Sequence, residues 1–295
     1  MVPILLGIVL AIFFLLNVLP GDPVSLMMKD KIKPDVIDNL RERMRLNDPW
    51  YVRFAVYVAN ALKGDLGYSY RYHREVKDLI MGAFPNTVKL AFAALAISWG
   101  IGIPTGIIAA VRKGKLSDSV LMTFSLAGVS MPIFWIGLLM QYIFAYKLGA
   151  LPTSGFSTLK HLILPAFVLG WSSSGGIARM VRANMLEVMK HDYIRTARSK
   201  GLGETRVVFG HALRNSMLPV VTMMASQVSW LLSGAVVTES IFAIPGLGRI
   251  SVDAITNRDM PLLQGTVIFT TVLIMLSNLI ADIAYGFLDP RIRYQ

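Results

Sequence analysis

Ser172, Ser173 and Ser174 stand in a row inside an apolar stretch, where a serine hydroxyl beside a base could attack a substrate as a nucleophile. No histidine or lysine is placed to activate them, and small residues in apolar helices ordinarily serve close packing. His73, His161, His191 and His211 have no ligand spacing among themselves, and His-Glu-x-x-His does not occur, so zinc-peptidase chemistry is excluded. Gly114-Lys115 is followed by Leu116 and lacks the upstream glycine of a phosphate-cradling loop. The absence of cysteine removes thiol chemistry, disulfides and cysteine metal sites. Asp282 is the only carboxylate well inside an apolar segment. It could serve an ion relay, but it stands about two turns from the segment's end, which favours pairing with a loop arginine. The expectation is a chain with no catalytic residues, no metal and no cofactor.

The elements around these residues are membrane-grade. Apolar residues make up 54% of the 295 and charged ones only 16%, the composition of an integral membrane protein. Six segments reach the ~20 residues a helix needs to cross a bilayer, near 2–19, 87–111, 119–145, 161–181, 217–238 and 263–285. This reads as an all-α polytopic protein of one domain, 1–295. No Lys or Arg precedes the first run and no small-residue cleavage site follows it, so it reads as a span rather than a cleaved leader. The net charge of +11 is placed on loops. Thirteen basic residues against five acids occupy 112–118, 179–214 and 289–293, whereas 20–86 holds eleven against nine. Basic excess in short loops marks the cytoplasmic face, so both termini are expected inside, and the charge speaks for a lipid bilayer rather than nucleic acid.

Two hydrophilic regions are more than connections. Region 20–86 reads as an extracytoplasmic helical segment. Pro34 opens one helix with Ile37, Leu40 and Met44 as its stripe, and Asn47-Asp48-Pro49 ends it. Trp50 to Leu62 forms a second, nearly apolar all round, with Gly64 past its end. Such a helix either lies flat on the membrane or receives a soluble partner. The excursion 182–216 carries an extension of the fourth segment to about His191, then a short helix, then Glu204 to Ser216 with a partial stripe of Val207, Val208, Ala212 and Leu213. Asp192 suits the start of the short helix, Arg195, Arg198 and Lys200 suit its end, and Gly201 suits a left-handed stop. A helix of about nine residues is marginal alone and needs something to dock on.

Polar residues inside the spans are candidates for lining a path. Ser130, Trp135 and Gln141 flank a kink at Met131-Pro132, and Ser226, Gln227, Ser229 and Trp230 cluster in the fifth segment. Hydrogen bonding between helices is the competing reading for each. Gly102 and Gly106 permit close helix approach.

A resemblance runs end to end. It rests on Leu19-Pro-Gly-Asp-Pro23, Gly64-Asp-Leu-Gly-Tyr-Ser69, Arg195-Thr-Ala-Arg-Ser-Lys-Gly-Leu202, His211-Ala-Leu-Arg-Asn215 and Leu218-Pro219. Glu239-Ser-Ile-Phe-Ala-Ile-Pro-Gly-Leu-Gly-Arg249, Asn257-Arg-Asp259 and Leu288-Asp-Pro-Arg-Ile-Arg293 complete it. With these the chain resembles the permease subunit of peptide-type ABC importers, the dipeptide, oligopeptide, nickel and glutathione group. Its long first external region resembles the B-type subunit.

The resemblance implies six transmembrane helices in the type I importer architecture, in the inner or plasma membrane of a prokaryote. It implies a paralogous permease subunit, one or two ABC ATPase subunits and an extracytoplasmic substrate-binding protein as partners. The short helix would be the coupling helix, with Arg195, Thr196 and Ala197 at the core of its motif and Gly201 at the motif's glycine. Asp192, Arg195, Thr196, Ala197, Arg198, Lys200, Gly201 and Leu202 would then meet an ATPase. Transport of di- or oligopeptides is the implied activity, with a nickel chelate or glutathione as alternative cargo. An ion-coupled carrier or a channel is the reading from another class.

Overall fold

The computed structural model describes residues 48–232 and 235–288, together with residues 7, 9–11, 13 and 14 of the first apolar run; side chains are described as far as 281, and at 283. The expected helix after Pro34, the terminal basic residues and the Asp282 side chain lie outside the described residues.

Helix α1 covers Trp50–Leu62. A two-strand hairpin follows, β1 Tyr68–Ser69 antiparallel to β2 Arg74–Glu75. Then come α2 Val76–Val111, α3 Leu116–Ser130 and α4 Ile133–Met140, which continues as a π-helical turn Gln141–Lys147. Next are α5 Leu159–Val188 and α6 Asp192–Ser199. A turn of helix, Glu204–Arg206, and a π-helical stretch, Val207–Leu213, lead into α7 Arg214–Leu232. The chain closes with α8 Val236–Ile241, α9 Leu247–Thr256 and α10 Met260–Leu288.

Helices α2, α5 and α10 are each long and apolar enough to cross a membrane. The expected third span is instead two helices meeting at 104°. Pro132 causes the break. It offers no N–H, and it forces Met131 out of the helical region to φ −86, ψ 140. Helix α2 is 36 residues long, ~54 Å of helix, and begins eleven residues before the apolar run at Thr87. Backbone hydrogen bonding carries a helix past the lipid boundary that hydropathy marks.

The contacts fix the direction of each helix. Along α2 and α5 the touching positions rise together: Ala94 with Gly170, Gly102 with Ser174 and Ile177, Gly106 with Ala178 and Val181. Those two helices are therefore parallel. Helix α3 runs against α5, since Asp118 meets Arg182, Ser125 meets Gly175 and Gly128 meets Trp171. Helix α7 also opposes α5, through Met223 on Gly176 and Gln227 on Ser173. Helix α10 is parallel to α2, through Gly265 on Val76 and Phe269 on Phe84. This up-and-down order places the α2–α3 turn, the α6 excursion and the end of α10 at one end of the bundle.

A Cβ at Gly102 or Gly106 would lie 2.8 or 2.6 Å from a carbonyl oxygen of α5, so these positions admit no side chain at this separation. Apolar clusters fill the bundle in layers. One at the α6 end joins Ile107, Val181, Met185, Val208 and Val220. A central one gathers Leu95, Leu169, Leu231 and Phe242. A third, at the far end, holds Val76, Ile80, Leu247 and Leu262.

Candidate functional site

The stop of α6 is built as the sequence suggests. Gly201 adopts φ +77, its N–H donates to Arg198 O at 2.9 Å, and Leu202 N–H donates to Ala197 O at 3.4 Å. This paired capping needs a left-handed residue, and Gly enters that region without strain. No other atom lies within 4 Å of where a Cβ on Gly201 would sit, so its requirement is conformational rather than steric.

Helix α6 has two faces. Ile194 and Ala197 are buried and join the layer of Val207, Val208, Ala212, Val181 and Met185. Burying an isoleucine side chain contributes about 1.5–3 kcal/mol, which is how so short a helix persists. Asp192, Tyr193, Arg195, Thr196, Arg198 and Lys200 are on the exposed side. Of the eight residues expected to meet an ATPase, Ala197 thus faces its own chain and Leu202 is half-buried against the same layer.

Arg198 instead pairs along the surface with its own chain. Its Nε and Nη2 donate to the two Glu204 oxygens at 3.1 and 2.6 Å, closing the loop between α6 and the next helical turn. The Arg198 hydrogen bond holds the Glu204 carboxyl below the usual carboxylate range and raises Arg198. Arg195 is 80% exposed and stands 3.6 Å from Asp192, a surface pair of little energetic weight. Asn215 Nδ2 donates to Tyr193 Oη at 2.9 Å, which ties α6 to the first turn of α7. Tyr193 and Phe209 are exposed aromatics of the same excursion that sequence reasoning passed over. Phe209 falls in the partial stripe Val207 to Leu213, but on its outward side.

At the same end, Asp118 accepts from Arg182 Nε and Nη2, both at 2.8 Å, and from Gly114 N–H at 3.0 Å. This two-pronged pair binds α3 to α5 beside the excursion.

The candidate path residues fall into three groups. Gln227 accepts from Trp99 Nε1 at 2.9 Å and donates to Ser173 O at 2.8 Å, so it is a strut between α2, α5 and α7. Gln141 donates to Thr153 O and Ile241 O at 2.8 and 3.2 Å, joining the π-helical turn to the end of α8. Ser229 is buried, with its hydroxyl unpaired among the described residues. Ser130, Trp135, Ser226 and Trp230 are exposed. Hydrogen bonding between helices accounts for both glutamines.

The far end holds two buried carboxylates. Thr87 Oγ1 accepts from Leu247 N–H at 2.8 Å and donates to Glu239 Oε1 at 2.7 Å, while Arg249 N–H donates to Glu239 Oε2 at 3.0 Å. A Cβ on Gly246 would lie 2.4 Å from the Glu239 carboxyl carbon, so the carboxylate sits where only glycine leaves room. Ser69 donates to Asp259, whose other oxygen accepts from Leu262 N–H at 3.2 Å in the first turn of α10. The stretches that carry the resemblance therefore meet in space: 64–69 with 257–259, and 239 with 246–249.

These features match known proteins. The family described as binding-protein-dependent transport system inner membrane component matches residues 102–294, and the N-terminal component of such systems matches residues 1–91. The chain belongs to that family. It is 40% identical to the di/tripeptide transport system permease protein DppB of Pseudomonas aeruginosa, over 100% of this chain and 96% of that one. It is 41% identical to the oligopeptide transport system permease protein AppB of Bacillus subtilis, over 99% and 96%. With the glutathione transport system permease protein GsiC of Escherichia coli it shares 39% identity, over 100% and 96%. Among solved structures it is similar to the MetNI methionine ABC transporter in an inward-facing conformation. There the TM-score is 0.62 at 17% identity, over 72% of this chain and 96% of that one, a likeness of fold. As a family member the chain is an inner-membrane permease component of an ABC-type importer, the kind of subunit that works with an ATPase and a binding protein.

Proposed function

We propose that this chain forms, with a paralogous permease, the membrane path of an importer for di- or oligopeptides, and that α6 is the element through which partner ATPases drive it. The two-faced construction of α6 carries this reading. Ile194 and Ala197 anchor the helix to the α5 and α7 ends, while Asp192, Tyr193, Arg195, Thr196 and Lys200 stay outward. A short helix anchored on one side and open on the other suits a groove in a second protein.

In this reading the protein has six spans and both termini lie in the cytoplasm, on the side of the α6 excursion. It performs no hydrolysis itself. ATP brings two partner ATPases together, the coupling helices follow, and the up-and-down bundle reorients around the path. The exposed residues Ser130, Trp135, Ser226 and Trp230 are the candidates for lining that path, and Gln227 and Gln141 for holding its walls. Peptide cargo is supported by the di/tripeptide and oligopeptide relatives. Glutathione, itself a small peptide, is the second reading, supported by the relative named for it.

The test is gentle extraction from the native membrane and mass spectrometry of what co-purifies. A second permease and one or two P-loop ATPases, lost in Arg195→Glu/Tyr193→Ala, are the expected result. Recovery alone, under conditions that keep a known importer intact, would favour a channel or an ion-coupled carrier.

A further inference from the structure

Helix α1 has no polar face to offer to water. Its only strongly polar side chains are Arg53 and Asn60, and both are half-buried. At 100° per residue they point within roughly 20° of each other. Tyr51, Ala55 and Leu62 point roughly 150–170° away from them. These three, with Ala59, are the exposed stripe, and Leu62 is 85% exposed. No charge lies on that stripe.

A second observation says what the stripe meets. The opposite side of α1 packs on the first apolar run. The Phe13 ring meets Phe54 edge-on at 5.4 Å and Tyr57 at 6.5 Å, and the Arg53 guanidinium lies 5.8 Å over the same ring. Phe13 stands six positions before the end of that run at Leu19. A helix lying in the membrane plane sits about 5–10 Å into the boundary of headgroups and acyl chains. Packing on a residue within the apolar run, rather than on its polar flank, suits such a position. Leu10 and Phe14 of the run are exposed beside it, so the apolar surface continues from the span onto α1. Trp50 and Tyr51 open the helix, with rings 6.0 Å apart and both exposed, the residue types that gather at the edge of a bilayer.

We propose that α1 is an in-plane membrane helix, with Tyr51, Ala55, Ala59 and Leu62 in the acyl chains and the Arg53 side turned to the first apolar run, where the Phe13 ring covers the guanidinium. Its leaflet, the extracytoplasmic one, rests on the topology proposed above; its embedding does not. The protein–lipid contact anchors the long segment before α2 to the bilayer beside the first span.

The chain has no cysteine, so single-cysteine variants carry one label each. Ala55→Cys and Ala59→Cys, spin-labelled in the assembled importer in nanodiscs, report collision with oxygen and with a water-soluble nickel chelate. Oxygen collision several-fold above nickel-chelate collision at both positions is the expected result. Dominant nickel-chelate collision would place the stripe in water and overturn the proposal. Exclusion of both quenchers would overturn it in favour of a protein cover, and exclusion only after adding the binding protein would name that cover. Lys63→Cys, treated with a membrane-impermeant thiol reagent from either side, reports the leaflet separately. Labelling from the cytoplasmic side alone would contradict the topology and leave the embedding standing.

Discussion

Thr87 and Glu239, 152 positions apart in the chain, share a 2.7 Å hydrogen bond in which the hydroxyl donates to the carboxylate. The direction follows from the carboxylate, which has no proton to give, while on its other side the threonine oxygen accepts the Leu247 N–H. Through this pair α2 holds the start of α9 in place, with Glu239 also accepting from Arg249 N–H.

Glu239→Gln tests that clasp. An amide whose oxygen accepts the Arg249 N–H turns its NH₂ group to Thr87 Oγ1, so the threonine proton loses its acceptor; turned the other way, the NH₂ group faces the Arg249 N–H. The variant should lose about 1–3 kcal/mol, read as a lower thermal midpoint of the purified complex. Thr87→Ser should stay near the parent, because it keeps both bonds. Equal midpoints for Glu239→Gln and the parent would contradict the clasp.

Ile194→Ala removes the main anchor of α6. Truncating a fully buried isoleucine costs about 2–5 kcal/mol, enough to melt so short a helix locally. Membrane insertion should persist while recovery of the ATPase partner and transport both fall. Arg195→Ala should spare the helix and weaken only the partner contact. Hydrogen exchange over residues 192–202 separates the two variants, rising in the first and unchanged in the second.

Gly201 should follow a conformational ranking rather than a size ranking. At φ +77 with open space around the missing Cβ, Asn should be tolerated best, Ala should cost about 1–2 kcal/mol, and Val more. ATP-coupled transport is the readout. Normal transport by Gly201→Val would contradict a required left-handed stop.

The Arg198–Glu204 pair predicts where acid acts on the loop. Glu204 is held below its ordinary value by the Arg198 hydrogen bond, so the pair's contribution is fully present above the ordinary carboxylate range. It is lost only as pH falls through that lowered value. Between about pH 5 and 8 this pair should therefore not respond to pH, and Glu204→Gln should match the parent only in strong acid. Exchange protection of 196–204 against pH reads this out.

Local structure was legible and long-range pairing was not. The spans of α1 and α6 follow from Pro49, Gly64, Asp192 and Gly201, because caps and stops act over a few residues. The kink at Met131-Pro132 was legible, but its 104° was not, since the angle is set by what α4 packs on. Gln227 and Gln141 read as possible path walls, because a buried amide looks the same in sequence whether it faces a cavity or a neighbouring helix. Their partners Trp99, Ser173, Thr153 and Ile241 are known only from the fold. Ser69 and Asp259 were both within stretches that carried the resemblance, yet nothing local tells that they meet.

In the proposed function ATP, acting through α6, drives peptide across this bundle. The most direct measurement is uptake of a labelled di- or oligopeptide by proteoliposomes holding the co-purified complex and its binding protein. Uptake should require ATP and the binding protein, and should be lost in Ile194→Ala while the permease itself stays in the membrane. Peptide uptake or ionic current without ATP, unchanged by Ile194→Ala, would contradict the account.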